Sequence, residues 1–162
     1  MILARLLSAR WLLAGMAGAS VLAVAAALHS QHVWGMMPCA WCVLQRLIFV
    51  AVALAALLGL LLPGAIGRRI GAALALGLAG LGLAAALWLH FVASASASCN
   101  MTLADRVMGF TGLDSLLPEV FAAYASCADA KVILAGMPYE FWSGALFTVL
   151  MLAALQVLRR PA

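Results

Sequence analysis

Charge is what this sequence lacks most. Of 162 residues only nine are Lys or Arg and five are Asp or Glu, 9% in all, against about 25% in a typical soluble domain. Lys131 is the single lysine, and no acid precedes Asp105. So few charges cannot coat a water-soluble globule. With 68% hydrophobic residues and a mean hydropathy of +1.17, apolar surface is also too plentiful for a disordered chain. The net charge of +4 does not mark a nucleic-acid binder, because that footprint needs clustered basic residues and no basic run here exceeds two. Internal repeats, a low-complexity linker and a glycine-rich phosphate loop between strand and helix are missing as well. What remains is a single small integral membrane protein, with the lipid bilayer as its solvent.

Charge-free intervals locate the spans. Thirty-five uncharged residues separate Arg10 from Arg46, 21 separate Arg46 from Arg68, 35 separate Arg69 from Asp105, and 18 separate Glu140 from Arg159. A helix needs about 20 mostly apolar residues to cross the hydrocarbon. The intervals therefore predict an all-α bundle of four transmembrane helices, about 11–28, 42–62, 69–92 and 141–158, in one domain over residues 1–162. The apolar runs are continuous and rich in Ala, Leu and Gly, without the two-residue alternation of a barrel strand. Gly15, Gly18, Gly71, Gly77, Gly80 and Gly82 read as small residues for close helix packing. Trp34, Trp88 and Trp142 read as interface aromatics.

Three connections follow. Residues 29–41 read as a short polar loop, Pro63 to Arg69 as a tight turn, and 93–140 as the one long loop, holding all five acids. Within it, Met101, Leu103, Val107, Met108, Phe110, Leu113, Leu116 and Leu117 interleave with Asp105, Arg106 and Asp114, the pattern of one amphipathic interfacial helix. Six of the nine basic residues, Arg5, Arg10, Arg68, Arg69, Arg159 and Arg160, fall on one side of the spans. The positive-inside rule assigns that side, with both termini, to the cytoplasm, and the 29–41 and 93–140 loops to the exterior. A cleaved signal peptide is the competing reading of the N-terminus. Its apolar stretch from Trp11 to Leu28 is 18 residues, longer than the roughly 7–15 of a signal-peptide core.

The four cysteines, Cys39, Cys42, Cys99 and Cys127, all fall on the exterior side or at its membrane boundary. An oxidising compartment turns such an even set into disulfides, and four cysteines allow three connectivities. Cys39-Ala40-Trp41-Cys42 is a C-x-x-C unit, the spacing of redox exchange, and its ring is too small to serve as a structural staple. Cys99 and Cys127, 28 apart, bracket the amphipathic segment, where a plain loop staple is the structural alternative. A haem c site needs His after the second Cys, where Val43 stands. A four-Cys zinc site needs a second close pair, so no metal is expected. Arg46 lies one helical turn beyond Cys42 on the same face, deep in an apolar run. Helix N-terminus plus guanidinium is the setting that favours a thiolate, the rival being an arginine that snorkels to the headgroups.

Gln31-His32-Val33, then Pro38-Cys39-x-x-Cys42-x-x-x-Arg46, four spans, a second loop with two cysteines, and Met137-Pro138 before the last span together resemble the bacterial disulfide bond formation protein B (DsbB) family. The resemblance covers essentially the whole chain. It implies a quinone-dependent thiol oxidase of the inner membrane that re-oxidises a periplasmic DsbA-like partner and passes two electrons to a membrane quinone, ubiquinone in preference to menaquinone. The two redox pairs would be Cys39–Cys42 and Cys99–Cys127. Cys99 would form the mixed disulfide with the partner, Cys127 would relay to Cys39, and Cys42 would face the quinone as a thiolate beside Arg46. The Ala40-Trp41 pair is bulkier than the family's aliphatic residues, and His90 reads as a polar group at a helix end rather than a ligand. His32 matches a family position without an implied role. Two alternatives stand beside this reading: a non-enzymatic membrane scaffold with a stapled loop, and a b-haem electron carrier using His29, His32 or His90.

Overall fold

In a computed structural model of the chain, residues 8–95 and 102–159 are described. Four long helices dominate: α1 (Ala9–Trp34), α2 (Ala40–Leu61), α3 (Gly64–Phe91) and α7 (Tyr139–Arg159). All four are long and apolar enough to cross a membrane. Between α3 and α7 lie a 3₁₀ turn (Ala93–Ala95), three short helices, α4 (Leu103–Thr111), α5 (Leu113–Leu116) and α6 (Pro118–Phe121), and a two-stranded ribbon, β1 (Ile133–Leu134) with β2 (Met137–Pro138). Cys99 lies outside the described residues.

Helix α2 is packed between α1 and α3, while α7 closes mainly on α3 and more lightly on α1. Small residues at helical spacing make this possible. Ala72, Ala75 and Ala79 are fully buried along one face of α3, opposite Val52 and Ala56 of α2. Gly71 meets Gly59 backbone to backbone: a Cβ added at Gly71 would stand 2.5 Å from the Gly59 Cα and 2.7 Å from the Ala55 carbonyl oxygen. Lower resistance to approach is the usual basis of helix association in lipid, where apolar side chains gain nothing by leaving the solvent. Phe147 of α7 stacks on Phe49 of α2 with ring centroids 4.0 Å apart, over the space left by Gly82. Large apolar side chains meanwhile point outward, Leu61 at 81% exposure and Leu22 at 69%, the reverse of a water-soluble globule.

The expected boundaries need correction at both ends of the bundle. Helix α1 does not stop at residue 28 but runs to Trp34, so the predicted 29–41 loop shrinks to residues 35–39. Its polar residues carry no helix breaker. The chain turns only at Gly35, whose left-handed backbone (φ 67°) returns its N–H to the Ser30 carbonyl. Helix α3 begins at Gly64 rather than 69, because a single Pro63 N-cap suffices for the turn, and Arg68 and Arg69 belong to the helix. The single amphipathic helix predicted over 101–117 is broken at Gly112 (φ 65°), which ends α4 and starts α5. Helix α4 is set by a capping box, Thr102 with Asp105. The small ribbon turns through Ala135 and Gly136, both at positive φ, an exception to the all-α expectation.

Gly71→Ala is expected to destabilise the bundle by ~1–3 kcal/mol, the cost of overpacking against backbone that cannot yield. Gly15→Ala, with nothing within 4 Å of the new methyl, should be near neutral. Unfolding of the two variants in detergent checks this; equal stabilities would remove the Gly59–Gly71 contact as a packing determinant.

Candidate functional site

Pro38 forces an extended approach to α2 and Cys39 caps it. The Cys39 Sγ accepts the Cys42 backbone N–H at 3.4 Å, and the Cys39 and Cys42 sulfurs stand 2.8 Å apart. The C-x-x-C unit is therefore the first helical turn itself, with both sulfurs where unpaired N–H groups favour an anion. The bulky Trp41 between them is accommodated by burial against Trp88 of α3, ring centroids 6.2 Å apart.

The third cysteine arrives from the long loop. Pro38 offers its carbonyl oxygen to the N–H groups of Tyr124 (2.9 Å) and Ala125 (3.2 Å), which pins the loop over the start of α2. A small turn follows, in which Ser126 caps Asp129. Cys127 then packs against the cluster that holds Cys39 and borders the same cavity as Cys39 and Cys42. Three of the four cysteines thus converge on one helix terminus. Cys39, Cys42 and Cys127 carry free thiols, and Cys99, the fourth cysteine of the expected pairs, lies outside the described residues. Loop anchoring at Pro38 sets Cys127 beside Cys39, a neighbour that spacing alone could not supply.

Proton sharing between these sulfurs is unequal. Interaction with the Cys39 thiol holds Cys127 below the ordinary thiol range, helped by the Trp41 backbone. The same interaction, with contact to Cys42 and burial, pushes Cys39 far above it. The two shifts are opposed, so Cys127 gives up its proton more readily than Cys39.

Arg46 does not snorkel. It is 5% exposed, and its Nη1 donates to Gln31 Oε1 at 2.6 Å and to the Val120 carbonyl at 3.1 Å, while Nη2 donates to the Ala27 carbonyl at 3.4 Å. It acts on the Cys42 and Cys39 sulfurs through space, by charge. Its Nε is buried without a partner. Arg46, Cys39, Cys42 and Cys127 all border one cavity of about 410 Å³, whose other walls include Ala23, Ala27, Phe49, Leu89 and Leu146.

Several polar residues that drew no role from the sequence belong to this neighbourhood. Gln31 bridges Arg46 and the Glu119 carbonyl. Gln45 accepts the Ser143 hydroxyl at 2.5 Å. His32 pairs with Glu119 at 2.9 Å through Nε2 and contacts the Leu28 carbonyl through Nδ1, which leaves neither ring nitrogen for a haem iron. His90 pairs with Glu140 at 2.8 Å, in keeping with a polar group at a helix end. His29 is packed edge-on against Trp34. The available signal was rarity: Gln31 and Gln45 interrupt long apolar runs.

Alkylation of the fully reduced protein from about pH 5 to 9 checks the proton assignment. Cys127 should react at pH values where an ordinary thiol, near 8.5, is still protonated, and Cys39 should react last. Equal labelling of both across the range contradicts it. Cys127→Ser should bring Cys39 back toward ordinary reactivity.

Comparison with known sequences agrees with this arrangement. The sequence model of the family described as "Disulfide bond formation protein DsbB" matches residues 9–157. Among curated relatives named disulfide bond formation protein B, that of Aromatoleum aromaticum is 34% identical over 137 residues, 82% of each chain. That of Herminiimonas arsenicoxydans is 34% identical over 148 residues, covering 90% of this chain and 92% of the relative. That of Stutzerimonas stutzeri is 32% identical over 147 residues, 87% and 90%. Four membrane-crossing helices and three cysteines gathered at one helix end thus belong to a chain that is a member of the disulfide bond formation protein B family, a multi-pass membrane disulfide oxidoreductase.

Proposed function

We propose that the chain re-oxidises a soluble DsbA-like thiol oxidase in the periplasm and delivers the two electrons to a quinone, of the ubiquinone type, in the bacterial inner membrane. Both termini would be cytoplasmic and the cysteine end periplasmic. The observation that carries this reading is the convergence of Cys39, Cys42 and Cys127 on the wall of one largely apolar cavity that reaches Phe49 and Leu146 of the spans. A scaffold has no use for three thiols at one helix terminus.

Thiol–disulfide exchange proceeds by thiolate attack on a disulfide sulfur, with the departing sulfur leaving as a thiolate. Cys99 would bond to the partner's sulfur, and the thiolate it releases would be Cys127. Cys127, the low-range thiolate, can attack Cys39 of an oxidised Cys39–Cys42 pair. The Cys127–Cys39 bond forms as the Cys39–Cys42 bond breaks, and the electron pair leaves on Cys42. Cys42 sits on the first turn of α2 within the field of Arg46, both of which stabilise the negative sulfur.

The cavity fits a lipid-soluble quinone. Its walls are largely apolar, with Ala23, Ala27, Phe49, Leu89 and Leu146 among them, it lies between membrane-crossing helices, and Arg46 has an unpartnered N–H beside it. A bound quinone supplies the two-electron acceptor, with a potential that disulfides lack. Arg46 would hold a ring oxygen, and Cys42 would face the ring.

Mixing purified protein, reduced DsbA-like partner and a ubiquinone analogue, and following quinone absorbance, tests the reading. Cys42→Ser and Cys99→Ser should abolish reduction; an unchanged rate in either sinks the electron path. Arg46→Met should raise the quinone concentration needed for half-maximal rate at least tenfold, since a hydrogen bond to a charged donor is worth ~1.5–3 kcal/mol. Because Arg46 also holds the Val120 carbonyl, partner exchange should slow as well, by a smaller factor.

A further inference from the structure

One ionisable group on the cavity wall has no part in the electron path. Glu140 is the only carboxylate that borders the cavity among the described residues. It opens α7, its side chain is 12% exposed, and its Oε1 lies 2.8 Å from Nδ1 of His90. His90 sits in the last turn of α3, and its side chain is 31% exposed. The pair therefore runs from the cavity wall to the surface of the cysteine end. Burying a carboxylate costs several kcal/mol unless it is compensated, and an ionisable residue retained at membrane depth is a functional candidate. Ser143 holds the first turn of α7 by bonding the Glu140 carbonyl (2.9 Å) and Gln45 (2.5 Å), which fixes the direction of the acid.

Proton balance gives this pair a task. When Cys39 thiol and Cys42 thiolate become a disulfide, one S–H bond breaks, one S–S bond forms, and two electrons leave for the quinone. A quinone that departs as neutral quinol takes two protons. Cys39 supplies one, so the second must come from outside the cysteine pair. The other titratable or charged side chains facing the cavity are poorer sources. Arg46 is permanently charged, Cys42 and Cys127 are needed as thiolates, the Tyr139 hydroxyl is engaged with Ser30, and Lys131 lies on the exposed loop; α1 contributes none.

Resting on the proposed function, we infer that Glu140 donates the second proton for quinone reduction and that His90 reloads it from water at the cysteine end. Glu140 is then a catalytic acid and His90 a positioning and relay residue.

The test uses the full-length protein in lipid nanodiscs with a ubiquinone analogue. Cysteines are pre-reduced, and the quinol-forming step is followed by stopped flow against pH. In Glu140→Gln this step should slow at least tenfold, more severely as pH rises, and formate should restore part of the rate. Quinone binding by tryptophan quenching, and thiol exchange with the partner trapped by acid quench, should stay within twofold of the parent. In quinone-free protein, the carboxyl infrared band that Glu140→Gln removes should shift in deuterated buffer within the mixing time. That shift should lag in His90→Phe. An unchanged pH profile in Glu140→Gln overturns the inference, as does a rate loss matched by an equal loss of quinone binding. If the parent exchanges disulfides with the partner yet reduces no quinone, the functional reading itself fails.

Discussion

A single buried guanidinium decides how the cysteine end is assembled. Arg46 is one turn below the C-x-x-C motif on α2, and its hydrogen bonds go sideways, to Ala27 and Gln31 of α1 and to Val120 of α6. A charge in a low-dielectric setting must be hydrogen-bonded or it destabilises the fold by several kcal/mol. Satisfying Arg46 therefore holds the end of α1 upright for six residues beyond its expected stop and brings the loop down onto the bundle. Gln31 and the His32–Glu119 pair follow from the same arrangement, because both meet α6 where Arg46 has already anchored it.

The thiol chemistry at this end of the bundle draws on helix-end electrostatics. Cys39 serves as the cap of α2, Cys42 lies on the first turn, and the loop brings Cys127 alongside. Oriented N–H groups that every helix leaves unpaired thus lie beside a cluster of sulfurs. Which sulfur carries the negative charge is then set by their mutual hydrogen bonds, so a change of bonding partner moves charge along with electrons.

Much of this was readable from the residues. The four helices follow from intervals without charge, and the C-x-x-C with its trailing Arg46 fixes the position of the site. The limits of reading are physical. Polar residues such as Ser30, Gln31 and His32 look like loop, yet they stay helical because tertiary partners satisfy them and the first backbone breaker is Gly35. Gly112 looks like any other glycine, and only its left-handed conformation divides the amphipathic segment. That Cys127 meets Cys39 is a long-range contact made by backbone groups, Pro38 with Tyr124 and Ala125, whose side chains carry no sign of it. The Glu140–His90 pair was hidden likewise, since 50 residues separate the partners.

The double acceptance at Pro38 has a kinetic meaning. Ala125 is the last residue held by that carbonyl, and Cys127 comes two positions later. A tether this short gives the attacking sulfur a very high effective concentration at its target, well above the millimolar scale of short flexible linkers. Exchange between the two loops becomes a first-order event, insensitive to how much protein the membrane holds and to how crowded the space around it is. In the proposed cycle turnover would then be set where molecules must still find one another: at the arrival of the soluble partner and at the exchange of acceptor with the lipid.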